Sequence, residues 1–241
     1  MHEYLVRHSA LSYLNQWYVT DRKYLDLLAS SDVAATPGAR IQLLSAKYMV
    51  ARNFVLPDLP PNDADVEIER LWDEVALAVT DAAADNACDA SSVVVRLANG
   101  LGAIFPDTRD RAAPNLLSAA TKFLWFSGRH DIRIYDKRAI IALNAWRKEQ
   151  PRAEGKRGWR VNGSYADFAG AWSDMYAVHQ PSVRLAIASL NEAIGWSLVP
   201  DGQPRDIARA IFQEQWFHDR VFDKYLWTIG VEDESRVGAF V

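Results

Sequence analysis

Helical periodicity dominates this chain and leaves little of it for a sheet. Over 9–28, the residues Leu11, Leu14, Tyr18, Leu25 and Leu28 fall largely along one helical stripe. Thr36-Pro37 reads as an N-cap followed by proline at the first helical position, opening a helix with Ile41, Leu44, Tyr48 and Val55. Pro57, Pro60 and Pro61 make 55–62 a stiff connector. Asn62 or Asp63 opens a third helix through Leu71, Val75 and Val79. Ser91 or Ser92 caps a short fourth that ends near Asn99-Gly100. A polar loop over 106–114 precedes a helix over 114–126, which Ser127-Gly128 stops, and 129–135 reads as short and extended. Asp136 opens a helix over 137–148, and a basic loop covers 150–163. Ser164 caps a helix with Tyr165, Phe168, Trp172 and Met175. Pro181 begins another, ending near Gly195, and Pro204 begins a last long one with Ile207, Ile211, Phe222 and Leu226. No fixed-period repeat is present, and no Asn-Gly hairpin turn sits between alternating runs. The expected fold class is all-α.

A chain of 241 residues with 49% hydrophobic content suits one globular unit or two tightly packed lobes. With 24% charged residues it does not read as disordered. Its single cysteine, Cys88, cannot form an internal disulfide, and its five histidines are scattered, so no metal-ligand spacing appears. Glycine-rich phosphate loops are absent as well, and no cofactor is expected. Glu3, Arg7, His8 and Asn15 interrupt the N-terminal stretch, and no apolar run reaches the ~18 residues of a membrane span. These features together predict a cytoplasmic protein without a membrane partner. A net charge of −4 argues against a strongly basic coat protein but not against a local basic face. Arg147, Lys148, Arg152, Lys156, Arg157 and Arg160 form such a run against only Glu149 and Glu154. It is either a solvated loop anchored by Trp159 or a surface for phosphates.

The chemistry concentrates in Ser118-Ala-Ala-Thr-Lys122-Phe-Leu-Trp-Phe-Ser-Gly-Arg-His-Asp-Ile-Arg-Ile-Tyr-Asp136. A lysine lies in an apolar helix beside Phe123, Leu124 and Phe126, a short loop follows, and an aspartate stands where the next helix opens. This segment resembles the catalytic segment of the helix-hairpin-helix DNA glycosylases with the eight-oxoguanine DNA glycosylase fold. There, a Thr-Lys or Ser-Lys pair starts a helix and an aspartate follows a short apolar stretch at the mouth of the active site. Thr121-Lys122 matches the pair, and Ile132-Arg133-Ile134-Tyr135-Asp136 matches the stretch and its aspartate. A weaker likeness extends through Lys137–Leu143 and to Tyr165, Phe168 and Trp172. Ala112-Ala113-Pro114-Asn115-Leu116-Leu117 stands where the family carries a glycine-rich hairpin, and the lysine-to-aspartate interval is shorter than in the best-known members. The loss of the hairpin looks like the divergent prokaryotic branch of the fold, some of whose members act against phages with modified DNA.

The resemblance implies a single glycosylase-like helical unit over 1–241, in two closely packed lobes, with its catalytic segment at about 112–149. It implies Lys122 as Schiff-base nucleophile and Asp136 as stabiliser of an oxocarbenium-like sugar and acceptor of a proton. Burial among Phe123, Trp125 and Phe126 disfavours the charged form of a lysine, the form that cannot attack. The implied partner is double-stranded DNA carrying a damaged or hypermodified base, a modified phage cytosine among the candidates; no obligate protein partner is implied. The target base must be flipped out. Arg129, His130, Arg133, Lys156, Arg157 and Arg160 are the candidate DNA contacts, and Trp125, Trp216 and Phe217, with Tyr225, the candidate base-pocket aromatics. Each residue has a plainer reading. Asp136 is also an ordinary N-cap, Lys122 a lysine whose stem lies along apolar surface, and the aromatics are core. Two other functions stay open: an inactive DNA- or nucleotide-binding module of the same fold, and a helical protein-interaction domain.

Overall fold

In a computed structural model, residues 3–30, 35–54, 64–105, 113–150, 160–161 and 163–238 are described. Every long regular element among them is helical and no strand occurs among the described residues, so the fold is all-α. In chain order the helices are α1 (Glu3–Gln16), a π-helical turn (Trp17–Asp21), α2 (Arg22–Ala29), α3 (Pro37–Lys47), α4 (Ala64–Ala84), α5 (Ala90–Ile104), α6 (Ala113–Phe126), α7 (Lys137–Glu149), α8 (Tyr165–Ala188), α9 (Leu190–Ala193), α10 (Gln203–Ile211) and α11 (Gln215–Gly238). None of the described helices is long and apolar enough to cross a membrane. The chain divides into two compact units: a continuous one, Tyr24–Tyr135, and a split one made of Met1–Lys23 and Asp136–Val241.

In the continuous unit, Thr36 caps α3 by accepting from the Ala39 N–H at 3.2 Å, as its sequence indicates. The following helices depart from expectation in instructive ways. The cap of α5 is Asp89, not Ser91 or Ser92; its Oδ1 accepts from the N–H groups of both serines at 2.9 and 3.1 Å. The helix also runs past Asn99-Gly100 to Ile104, because Leu97 and Leu101 bury along one stripe and Phe105 follows them inward. That burial outweighs the ~0.5–1 kcal/mol a mid-helix glycine costs. Phe54, Trp72, Phe105 and Phe123 form the aromatic centre of this unit, with Phe54 stacked on Phe123 at 6.3 Å. Gly128, at φ +97°, closes α6. Its N–H donates to the Trp125 carbonyl, and the Arg129 N–H donates to that of Leu124. The expected extended piece over 129–135 is instead a turn, with the Ile132 N–H on the Arg129 carbonyl, and only then a stretch without regular structure.

The split unit is organised around α11, whose Phe217, Val221, Phe222, Tyr225 and Leu226 are buried. The first helix begins at Glu3 rather than Ser9. Its π-helical turn, in which the Arg22 N–H reaches the Trp17 carbonyl, carries Asp21 to complete burial. There Asp21 accepts from Gln16 Nε2 at 3.2 Å and faces the Arg220 guanidinium at 3.9 Å. Arg220 also donates to Asp223 at 2.8 Å, and Asp223 takes a bond of 2.7 Å from Trp172 Nε1. Pro181 does not begin a helix. It lies inside the 24-residue α8, because Val183, Ala186 and Ile187 prolong the buried stripe of Met175, Tyr176 and His179. The expected last helix is two. Phe212 turns into the core between α10 and α11, and His218 Nε2 donates to its carbonyl at 2.9 Å.

Helices α7 and α11 meet at Gly230. A Cβ there would stand 2.2 Å from the Arg138 carbonyl oxygen and 2.8 Å from its carbon, which are backbone atoms and cannot rotate away. Gly230→Ala is therefore expected to lower unfolding stability by about 1–3 kcal/mol through overpacking. Gly100→Ala, with nothing within 4 Å, should instead be neutral or stabilising by about 0.5–1 kcal/mol. Urea titration of the two variants checks the contrast; equal stabilities would remove the close approach from the account.

Candidate active site

Helix α6 is apolar almost all round, with Ala119, Ala120, Phe123, Leu124 and Phe126 all buried. Lys122 is carried into that environment and is only 8% exposed. Its Nζ donates to Ser118 Oγ, one helical turn back, at 2.7 Å, so the ammonium end is held near α6 rather than extended to solvent. The neighbouring Thr121 is fully buried. Its hydroxyl donates to the Leu117 carbonyl at 2.9 Å and accepts from the Tyr135 backbone N–H at 3.1 Å. The residue before the candidate lysine thus fixes the residue before the candidate aspartate. All of these groups belong to the continuous unit.

Between Tyr135 and Asp136 the chain passes into the split unit. Asp136 is half-buried in extended backbone, φ −138° and ψ 141°, and caps α7: Oδ1 accepts from the Arg138 N–H at 2.9 Å. No second bond to its Oδ2 is present among the described residues. One oxygen fixes the rotamer and the other is left to act, so capping and catalysis are compatible in one side chain. A negative charge at a helix N-terminus is also favourable in itself.

The other candidates fall into different settings. Arg129 is 9% exposed; its guanidinium holds both oxygens of Asp131 at 2.9 Å and the Asp85 carbonyl at 2.7 Å. The same pairing holds the Asp131 carboxyl below the ordinary carboxylate range. His130 packs its ring 5.0 Å from that of Trp125 and borders a cavity of about 590 Å³ in the continuous unit, with Leu25, Ile41, Val79, Thr80 and Phe126 also in its wall. Arg133 is half-buried. Arg160 is exposed, directly before Val161, whose N–H is held by Asn144 Oδ1 of α7 at 2.9 Å. Lys156 and Arg157 lie outside the described residues. Trp125, Phe217 and Tyr225 are core residues at 1%, 0% and 5% exposure, whereas Trp216 is half-buried against Phe217.

Three features were missed from the sequence: Ser118 as a partner of Lys122, Thr121 as the clamp on Tyr135, and the placing of Arg138 and Lys224 at 4.0 and 4.9 Å from the Trp227 ring centroid. Ser118 and Lys122 are four apart on a helix, a spacing at which side chains meet, so that contact was open to inference. The Tyr135 clamp spans fourteen residues and left no local trace. Among the described residues, no group of three His, Cys, Asp or Glu side chains could hold a metal ion. In comparisons with known proteins, no family model, no curated protein and no solved structure matches this chain.

Proposed function

We propose that the protein is a DNA N-glycosylase that removes a damaged or hypermodified base from duplex DNA. The observation that carries this reading is the bond from the Tyr135 N–H to Thr121 Oγ1. It links the Thr-Lys pair to the Ile-Tyr-Asp stretch, because the threonine that precedes the buried lysine holds the backbone of Tyr135. An unrelated helical protein has no need of a threonine clamp, a buried lysine and a capping aspartate in that order.

In the reaction, the C1′–N bond breaks, the base leaves with its electron pair, and positive charge builds on the sugar. The Asp136 carboxylate opposes that charge, the kind of electrostatic contribution that is usually the largest in such sites. Water adds to C1′, its proton passes to Asp136, and an abasic site remains. In the lyase form of the chemistry, Lys122 Nζ adds as the free amine in place of water. Loss of its proton and opening of the sugar ring then give a Schiff base. Ser118, which already accepts from Nζ, steers the amine.

The test is incubation with duplexes carrying normal, oxidised, alkylated or glucosylated bases, followed by alkaline scission. One class is expected to be cut after alkali, or before it if a Schiff base forms. Intact strands in every panel, with folded protein, would refute the proposal.

A further inference from the structure

Met49, in the continuous unit, departs from what its backbone prefers. Helix α3 ends in a closure that usually holds glycine: the Val50 N–H donates to the Ser45 carbonyl at 2.9 Å and the Met49 N–H to that of Ala46 at 3.2 Å. The residue inside such a closure is left-handed. Met49 stands there at φ +56°, alone among the described residues other than glycine. A side chain is strained in that region, and glycine would close the helix without the strain. Burial does not offset it, since Met49 is 60% exposed. A long apolar side chain is thus held in solvent where the fold would be more stable without it. Strain of this kind clusters at sites that act on a ligand.

The surroundings suit such a site. Lys47 ends α3, and Arg52 lies in a 3-10 turn over Ala51–Asn53; both side chains are exposed. Neither has a hydrogen bond or an ion pair among the described residues. The segment that carries all three residues is tied at both ends to α6, the helix of Lys122. Tyr48 packs its ring on that of Phe126 at 4.8 Å, and Phe54 stacks on Phe123 at 6.3 Å. Its anchors are therefore the residue next to Lys122 and the residue one helical turn beyond it.

We propose that Met49 is the wedge that enters the duplex where the target base leaves it, and that Lys47 and Arg52 bind the phosphates on either side of that step. The inference rests on the glycosylase reading. A base taken out of the stack leaves its neighbours with uncovered apolar faces. Apolar side chains, methionine among them, insert at such steps and hold them open. Methionine is unbranched and polarizable, so it fills a gap whose shape changes with the sequence around it. Insertion brings the duplex backbone up to the protein on both sides of the wedge, where cations neutralise it. The two bonds that close α3 fix the Met49 backbone before DNA arrives, which lowers the cost of ordering it on binding.

Unstacking is read from the fluorescence of a duplex with 2-aminopurine in a mismatch, and binding from the anisotropy of a fluorescein-labelled duplex across a salt series. Base release is measured on the duplex panel. Met49→Gly is expected to unfold at the same urea concentration as the wild type or a higher one, because glycine relieves the strain. It should lower both the 2-aminopurine rise and base release by roughly tenfold, and leave the slope of log K against log salt unchanged. Met49→Leu keeps the apolar bulk and should keep the rise. Lys47→Gln with Arg52→Gln should reduce the slope by about 2. If the wild type excises and Met49→Gly retains the full rise and release, the wedge is overturned and the glycosylase reading stands. A glycine variant less stable than the wild type, or a leucine variant as defective as the glycine one, would make Met49 a structural residue and also overturn it. An unchanged slope in the glutamine pair removes the phosphate contacts from the proposal. A rise that depends on Met49, with no base released from any duplex, supports the wedge and counts against the enzyme. No binding at low salt overturns both.

Discussion

Asp136→Asn is expected to leave the helical fold intact and to slow base release by about 10²–10³-fold, equivalent to ~2.7–4 kcal/mol of barrier. The substitution separates two roles that one side chain combines. Asparagine is as good an N-cap as aspartate, so the bond from the Arg138 N–H to Oδ1 persists and the melting temperature should barely move. The charge opposing the developing sugar cation is lost. An aspartate that only caps α7 would survive the change with activity and stability both intact, and full release by the variant on its true substrate would refute the mechanism. Lys122→Gln is the companion variant. It should abolish any borohydride-trappable Schiff base, and its residual release reports how much of the reaction runs through water.

Arg220→Met is the change expected to cost most in stability. Arg220 stands between Asp21, which is fully buried, and Asp223, which is nearly so, and it lies 5.3 Å from the ring centroid of Tyr13. Methionine approximates its stem but removes the guanidinium that faces one buried and one part-buried carboxylate. Breaking a buried pair by removing one partner costs about 3–5 kcal/mol, a large share of the ~5–15 kcal/mol that holds a typical domain together. Adding Asp21→Asn to the methionine variant should recover part of that loss, because one uncompensated charge goes with it. Chemical denaturation of the three proteins checks the expectation. A loss below about 1 kcal/mol in the single variant, within the range of an exposed ion pair, would mean that the carboxylates are solvated or otherwise satisfied.

What could be read from the sequence was local chemistry. Thr36, Asp136 and Ser164 are caps in the structure because a cap is decided by a few adjacent residues. Helix lengths went wrong where burial overrode a local breaker, at Gly100 and at Pro181. The π-helical turn at Trp17–Asp21 was invisible, since it adds one residue to a helix that continues on both sides. Its consequence, a buried aspartate meeting Arg220 nearly two hundred residues later, belongs to tertiary structure alone. The same division holds at the candidate site. Lys122 and Asp136 were found as residue types in an order, and the cap at Asp136 followed from the sequence. The Thr121 clamp and the seating of Arg138 on Trp227 required the fold. Of the aromatics proposed for a base pocket, Trp125, Phe217 and Tyr225 turned inward, because a large ring gains most from full burial.

The split of one unit across both ends of the chain also has a consequence for its birth on the ribosome. Tyr13 packs its ring against Phe217 at 5.4 Å, and α1 packs against α8 as well as α11, so part of the apolar stripe of α1 stays uncovered until α11 emerges. At ~5–20 residues per second, that wait lasts on the order of 10–40 s. The continuous unit, by contrast, has its whole sequence in hand while synthesis of the remainder goes on. A nascent chain thus carries α1 with part of its inner face uncovered until residues 215–238 are made, which makes that helix the natural client of a holding chaperone.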